Sequence, residues 1–316
     1  VDDLSHANDD DDDEQRRRRE SASYQGYSST APGAVLGQVL VFVLSLVVSD
    51  LLPTLPVVLL VWAAQTRGIL FAAVVTSPAT SLATPAVLGL MAVLANKRLA
   101  PKPFGRRTTT RIKLWSRAYL GWLLSKNVTA VAGQSVASLF GGTSVETLFY
   151  HLCGAEIGKD VVFESGADIE DPAFLVLEDG TRVGRHARVS AHFVERGELV
   201  LAKTKLERGA RTQPRSCVAA GATVPAGASL GVLASGGGGA TFSTDDLDLE
   251  EDDGGEKTLS RDGAAADFGV HYVFGVPLIL ACESFAAFVA LSIVFAAHDF
   301  SFSPKDSSSS SSSSSS

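Results

Sequence analysis

Cysteine is scarce in this chain of 316 residues, which has only Cys153, Cys217 and Cys282. Three thiols spread so far apart give no disulfide framework, and none has the spacing of a metal-ligand set. No Ser-His-Asp or Cys-His grouping lies close in sequence, so covalent nucleophilic catalysis is the less favoured enzymatic route. Phosphate-cradling loops are also missing: Gly236 to Gly239 follows no strand and opens no helix. Residues 96 to 126 carry basic side chains from Lys97 to Lys126 and no acid at all. The net charge of −8 hides this, because eight of the 35 acids precede Gln15 and nine lie between Asp245 and Asp262. The remainder is basic, but its cations hug apolar segments and lack a base-stacking module, so no nucleic-acid partner is inferred.

Long apolar runs are plentiful. Ala34 to Ala64 is broken only by Gln38, Asp50 and a few hydroxyls, and it contains Pro53 and Pro56; Ile69 to Ala95 is apolar again, with Pro78 and Pro85. Each exceeds the roughly 20 residues that cross a bilayer, and Gln65-Thr66-Arg67-Gly68 between them has room only for a tight turn. This predicts a transmembrane helical hairpin over 34–96. Asp50 is either a buried functional acid or the end of a shorter helix that restarts at Leu51. His271 to Ala297, interrupted by Pro277 and Glu283, predicts a third transmembrane helix over 270–298. Three spans with so few intramembrane polar groups argue against a transporter. Basic residues flank both ends of the hairpin, Arg16 to Arg19 on one side and Lys97 onward on the other. That places both flanks in the cytoplasm, leaves the Asn127-Val128-Thr129 sequon unused and keeps the thiols reduced.

Residues 97–150 are expected to be basic juxtamembrane and cap helices. Ile112 to Leu124, with Trp115, Tyr119 and Trp122 among cations, reads as a helix at the membrane surface or as a cap on the next domain. Residues 1–33 (Asp9 to Asp13, then Arg16 to Arg19), the Gly-rich and acidic stretch 236–269 and the Ser tract 299–316 cannot bury a core and are expected to be disordered. Val1 in place of Met, and the terminal Ser tract, suggest a piece of a longer chain.

The organising stretch is 151–235. Leu206, Thr212, Val218, Val224 and Leu230 recur every sixth residue, each followed four places later by a small residue: Ala210, Ser216, Ala222, Ala228, Ala234. The pairing continues at Leu177/Thr181 and Val183/Ala187, and upstream at Ile157/Val161, Phe163/Ala167 and Ile169/Ala173. A period of six fits neither helix nor lone strand. It predicts a triangular coil with the aliphatic residues pointing inward and a column buried by stacking. The register breaks between Ile169 and Leu177, near Asp171-Pro172, and between Val189 and Val200, where residues around Glu195 to Glu198 must leave the column as a loop.

These hexapeptides resemble the left-handed β-helix of hexapeptide acyltransferases, and the handedness comes from that resemblance. The implied fold class is membrane α-helices plus an all-β domain, a left-handed parallel β-helix between transmembrane helices. The motif order extends the resemblance. A membrane hairpin precedes Leu114-Trp115-Ser116 to Trp122, then Gly142-Thr143, Leu152-Cys153-Gly154-Ala155-Glu156-Ile157-Gly158, Asp171-Pro172, Ala191-His192-Phe193-Val194-Glu195 and a further apolar segment. This is similar to the C-terminal membrane region of polylysine-synthetase-like non-ribosomal peptide synthetases. The resemblance implies upstream adenylation and carrier domains or other hexapeptide domains as partners, and a phosphopantetheine or CoA thioester as acyl donor. It also implies assembly in threes, from a homotrimer or from three domains of one chain. No adenylation or carrier sequence is present here, and Thr212-Gln213-Pro214-Arg215 departs from the usual turn start.

Aminolysis of a thioester needs a base for the amine proton, and an imidazole, with an ordinary pKa of about 6.5, suits the task. Backbone N–H groups at a broken coil can serve the oxyanion. His192, at the irregular turn, is the expected general base, with Glu195 orienting it; the bland alternative is a surface histidine at a loop entrance. His186 lies in a regular turn and is expected to be solvated, His151 to pack in the cap, and Asp171-Pro172 to form a turn or touch substrate. The competing function is a scaffold that has lost its chemistry and positions partners at the membrane.

Overall fold

A computed structural model of the chain describes residues 32–103, 109–236 and 271–302. The expected tails and linker lie outside the described residues apart from their edges. The hexapeptide period does produce a coil. Twelve short strands follow one another as β2 (Glu156–Ile157), β3 (Val162–Phe163), β4 (Asp168–Ile169), β5 (Leu175–Leu177), β6 (Arg182–Val183), β7 (Arg188–Val189), then β10 (Thr204–Leu206), β11 (Arg211–Thr212), β12 (Cys217–Val218), β13 (Thr223–Val224), β14 (Ser229–Leu230) and β15 (Ser235–Gly236). They stack as three parallel four-stranded sheets, β2-β5-β10-β13, β3-β6-β11-β14 and β4-β7-β12-β15. Register partners run Ile157–Leu177–Leu206–Val224 in the first sheet and Phe163–Val183–Thr212–Leu230 in the second. Ile169–Val189–Val218 line the third. Every one of these inward side chains beyond Ile157 is buried. Thr212, the polar member, is satisfied because its hydroxyl accepts the Gly184 N–H at 3.0 Å.

The corner is turned one residue earlier than the small-residue pattern suggests. Three places after the inward residue the backbone takes a left-handed conformation, at Asp160, Gly166, Gly180, His186, Gly209, Arg215, Gly221, Gly227 and Leu233. Gly166 needs this freedom most, since a Cβ there would run into the stacked His186 ring. His186 itself is exposed at its corner, as expected. The two turns lacking this left-handed corner are those after Ile169 and after Val189, where the register breaks. The first becomes a short 3₁₀ turn, Pro172–Phe174. The second leaves the coil as a hairpin, β8 (His192–Glu195) and β9 (Glu198–Ala202), and β1 (Thr109–Lys113) adds to β9 as a third antiparallel strand.

β1 corrects the helix expected from Ile112. The chain turns at Trp115, with φ of 63°, and helix α4 (Arg117–Phe140) starts only after Ser116 caps it by accepting the Tyr119 N–H at 3.2 Å. Trp122, Ser125, Val128, Thr129, Ala132, Val136 and Leu139 form its buried stripe, the helical period of a face covered by protein. The stripe lies mainly against the apolar helix ending at Arg98, where Asn96 donates to the Thr129 hydroxyl at 2.6 Å, and it meets the coil at Trp122, whose indole N–H donates to Asp171. Helix α5 (Ser144–Cys153) follows and lays Tyr150 on Phe163 of the first coil, ring centres 5.3 Å apart. His151 is exposed at its end, with its Nδ1 3.2 Å from the Ala155 carbonyl, rather than packed in the cap.

Glu146 on α5 is buried and accepts the Gly142 N–H at 2.7 Å. Burial pushes its carboxyl up to about 7 from 4.5, against the lowering effect of that hydrogen bond. An acid whose folded pKa is raised releases its proton more readily when unfolded, so stability is full below about pH 4.5 and falls until about pH 7. The chain is therefore expected to be more stable at pH 5 than at pH 8, by on the order of 3 kcal/mol at most. Glu146→Gln should flatten that slope in thermal melts of detergent-solubilised protein; an unchanged slope would assign it to other groups.

The apolar stretches form α1 (Pro32–Leu46), α2 (Leu52–Arg67), α3 (Ile69–Arg98) and α6 (Val276–Phe302). Widened π turns precede or enter three of them, at Val47–Leu51, Ala72–Thr76 and His271–Gly275. Each contains the carbonyl four residues before a proline, Pro53, Pro78 or Pro277, which has no N–H to offer it. The first arm of the expected hairpin is consequently not one uninterrupted α-helix. Among the described residues two helices are long and apolar enough to cross a membrane, Ile69–Arg98 and Tyr272–Ala297, with a shorter apolar helix at Val35–Leu46. Only 6% of the apolar window in Tyr272–Ala297 is covered by protein. The Asp50 side chain lies outside the described residues.

Candidate active site

The two breaks in the hexapeptide register are stacked. Ile169 on β4 and Val189 on β7 are register partners on one sheet, so Glu170-Asp171 and Ser190-Ala191-His192 leave the coil one above the other. Asp171 adopts φ of 55° and its side chain is 4% exposed. Its Oδ2 lies 2.5 Å from His192 Nδ1, while its Oδ1 accepts the Trp122 indole N–H at 2.6 Å. Trp122 also sets its ring edge-on to the imidazole, centres 4.9 Å apart at 67°. The imidazole is thus gripped on one nitrogen by a carboxylate that is itself held from the other side.

This grip decides the tautomer. A carboxylate only accepts, so Nδ1 carries the hydrogen that meets Asp171, and in a neutral ring the lone pair is then on Nε2. Lys126 Nζ stands 3.2 Å from Nε2 and 3.0 Å from Glu170 Oε1. Arg188 reaches Glu170 at 3.5 Å and Asp168 at 2.9 Å. Burial pushes the Glu170 carboxyl up, but the Lys126 ammonium and its hydrogen bond, with His192 and the Ser190 hydroxyl, outweigh it and hold the group below the ordinary carboxylate value. Ser190 Oγ lies 3.3 Å from His192 Nδ1. Asp171, Glu170 and Lys126 therefore flank one oriented imidazole that is 16% exposed, and Arg188 and Asp168 extend the charged cluster beyond Glu170.

His192, expected as the base, stands at the centre of this cluster. Glu195, expected to orient it, does not reach the ring. It sits three residues along the same strand, and an odd separation in a strand places side chains on opposite faces. Glu195 instead pairs with Arg111 of β1 at 3.1 Å, and Arg111 also meets Glu198 at 3.6 Å. Asp171 takes the orienting position. Its signal was in the sequence, because the shorter break follows the inward residue one coil below the longer one. Trp122 and Lys126 come from α4, far upstream, and left no local signal.

Beside Asp171 a cavity of about 40 Å³ is lined by Trp122, Ser125, Lys126, Asn96, Thr129 and Glu170, among others. That is room for a few waters. Among the described residues no group of three or more His, Cys, Asp or Glu side chains is arranged to hold a metal ion.

No family model and no curated sequence matches the chain. Among solved structures, serine acetyltransferase isoform 3 from Entamoeba histolytica, in complex with cysteine, is similar at 11% identity and a TM-score of 0.21. The match covers 57% of this chain and 66% of that one, so the chain spans just under two thirds of that enzyme. At this identity and score the likeness fixes no equivalence between individual residues.

Proposed function

We propose that this chain is a membrane-anchored acyltransferase whose coil domain moves an acyl or aminoacyl group from a thioester to an amine. The observation that carries it is the Asp171–His192 hydrogen bond, which leaves Nε2 as an acceptor within hydrogen-bond distance of an amine nitrogen. His192 is the general base and Asp171 its orienter, with Trp122 fixing the carboxylate. The thioester donor, with phosphopantetheine or CoA as carrier, rests on the order of the sequence motifs, as does the setting in a peptide-synthetase-like assembly. A left-handed coil and assembly in threes belong to the same proposal. The exposed apolar helices and their basic flanks support a multi-pass anchor with the coil on the cytoplasmic face.

The test is transfer from an acyl thioester to a primary amine by the detergent-solubilised chain. His192→Ala should slow it by about 10²–10⁴-fold, whereas Glu195→Ala, which removes a half-exposed ion pair with Arg111, should leave it within about twofold. Equal rates for wild type and His192→Ala would leave a scaffold without chemistry as the better account.

A further inference from the structure

The free nitrogen of His192 is met by an amine belonging to the chain itself. Lys126 Nζ lies 3.2 Å from Nε2, where an acceptor amine must stand to pass its proton to the base. It is held there by Glu170 at 3.0 Å, and its ammonium lies 5.5 Å over the Trp122 ring. The neighbouring residue on α4, Ser125, is buried, and its hydroxyl has no hydrogen-bond partner among the described residues. Ser125 and Lys126 line the same 40 Å³ cavity. An unpartnered buried donor is costly unless something fills its place, and the cavity is scaled to two or three heavy atoms.

We propose that Lys126 is an acylation site, modified in cis by the His192–Asp171 pair with a short acyl group whose carbonyl oxygen takes the Ser125 hydroxyl as donor. This rests on the acyl-transfer reading above. The Lys126 ammonium first gives one proton to water. The neutral amine attacks the thioester carbon, forming the N–C bond as its second proton passes to His192 Nε2. The C–S bond breaks with its electron pair going to sulfur, and the imidazolium returns the proton to the thiolate. The balance is thioester plus ammonium to amide, thiol and one proton. Acylation removes the cation that bridges Glu170 and His192, so one turnover remodels the site that performed it.

The experiment incubates the full chain with the acetyl thioester of N-acetylcysteamine and maps acetylated lysines by peptide mass spectrometry. A parallel sample contains an added primary amine. Lys126 is expected to gain acetyl about 10²-fold faster in the wild type than in His192→Ala. It should also outpace Lys203 and Lys205, which pair with carboxylates as Lys126 does but meet Glu156, Glu178 and Glu207 rather than His192. Ser125→Ala should slow Lys126 labelling while leaving Lys203 labelling unchanged. Lys126 staying unmodified while the added amine is acetylated would overturn the inference and spare the transferase reading. Equal Lys126 labelling in wild type and His192→Ala would show ordinary solution chemistry and overturn it as well. If neither Lys126 nor the added amine gains acetyl, the transferase reading fails and takes this inference with it.

Discussion

Asp171→Asn is expected to slow acyl transfer by about 10³–10⁴-fold, the scale on which Ser-His-Asp enzymes lose rate when their aspartate becomes an amide. An amide at this position keeps an oxygen for the Trp122 N–H, now 2.6 Å from Oδ1. With that oxygen engaged, its NH₂ faces His192 Nδ1 and demands an acceptor there. The imidazole must then carry its hydrogen on Nε2, the nitrogen that the chemistry needs bare. The substitution is gentle in every other respect. Asp171 holds φ of 55°, and asparagine is among the side chains that tolerate that region best. The variant should therefore melt close to the wild type while its kcat falls. Asp171→Ala would confound the two effects, because alanine adds backbone strain and leaves the indole N–H without its partner. If Asp171→Asn retained full rate with a wild-type melting profile, His192 would not be acting through an Nδ1-protonated tautomer, and the general-base assignment would go.

The coil was legible because its signal is additive. Leu206, Thr212, Val218, Val224 and Leu230 each repeat one constraint, and a single departure such as Thr212 leaves the rest in phase. His192 stood out as a candidate for the opposite reason, since it stands where the repeat is given up. The acid expected beside it was Glu195, the nearest in sequence, but the acid at the ring is Asp171. Strand alternation carries Glu195 to the other face, whereas Asp171 comes into place through coil stacking: 18 residues make one turn of three six-residue sides, and the shorter break supplies the remainder. Counting in turns rather than in residues would have paired the two breaks. β1 was missed because Thr109–Lys113 is polar on one face and pairs only with a hairpin, β8–β9, that the repeat pattern excludes. The widened turns at the prolines were not legible for a local reason. A π turn lets the chain pass Pro53 or Pro78 without ending, and hydropathy alone does not register it.

The second large effect is structural. Val218→Asp should unfold the coil domain rather than merely soften it. Val218 is fully buried between Val189 and Gly236 in the third sheet's register, and the column around it is aliphatic, so a carboxylate there has neither water nor a cation. Such a group costs several kcal/mol or takes up a proton, against a total stability of roughly 5–15 kcal/mol for a typical domain. The loss does not stay local. A solenoid is held by nearest-neighbour contacts between turns, and the Val218 carbonyl accepts the Ser190 N–H at 3.0 Å, directly beside the corner that presents His192. Transfer activity should therefore disappear together with the cooperative melt. Two companions separate burial from charge. Val218→Ala removes only packing and should cost about 2 kcal/mol with activity retained. Cys217→Asp places the same charge one residue earlier, on the outward face opposite Arg188, and should be tolerated. A Val218→Asp chain that melted like the wild type would mean that the six-residue column does not point inward, and the triangular coil itself would have to be abandoned.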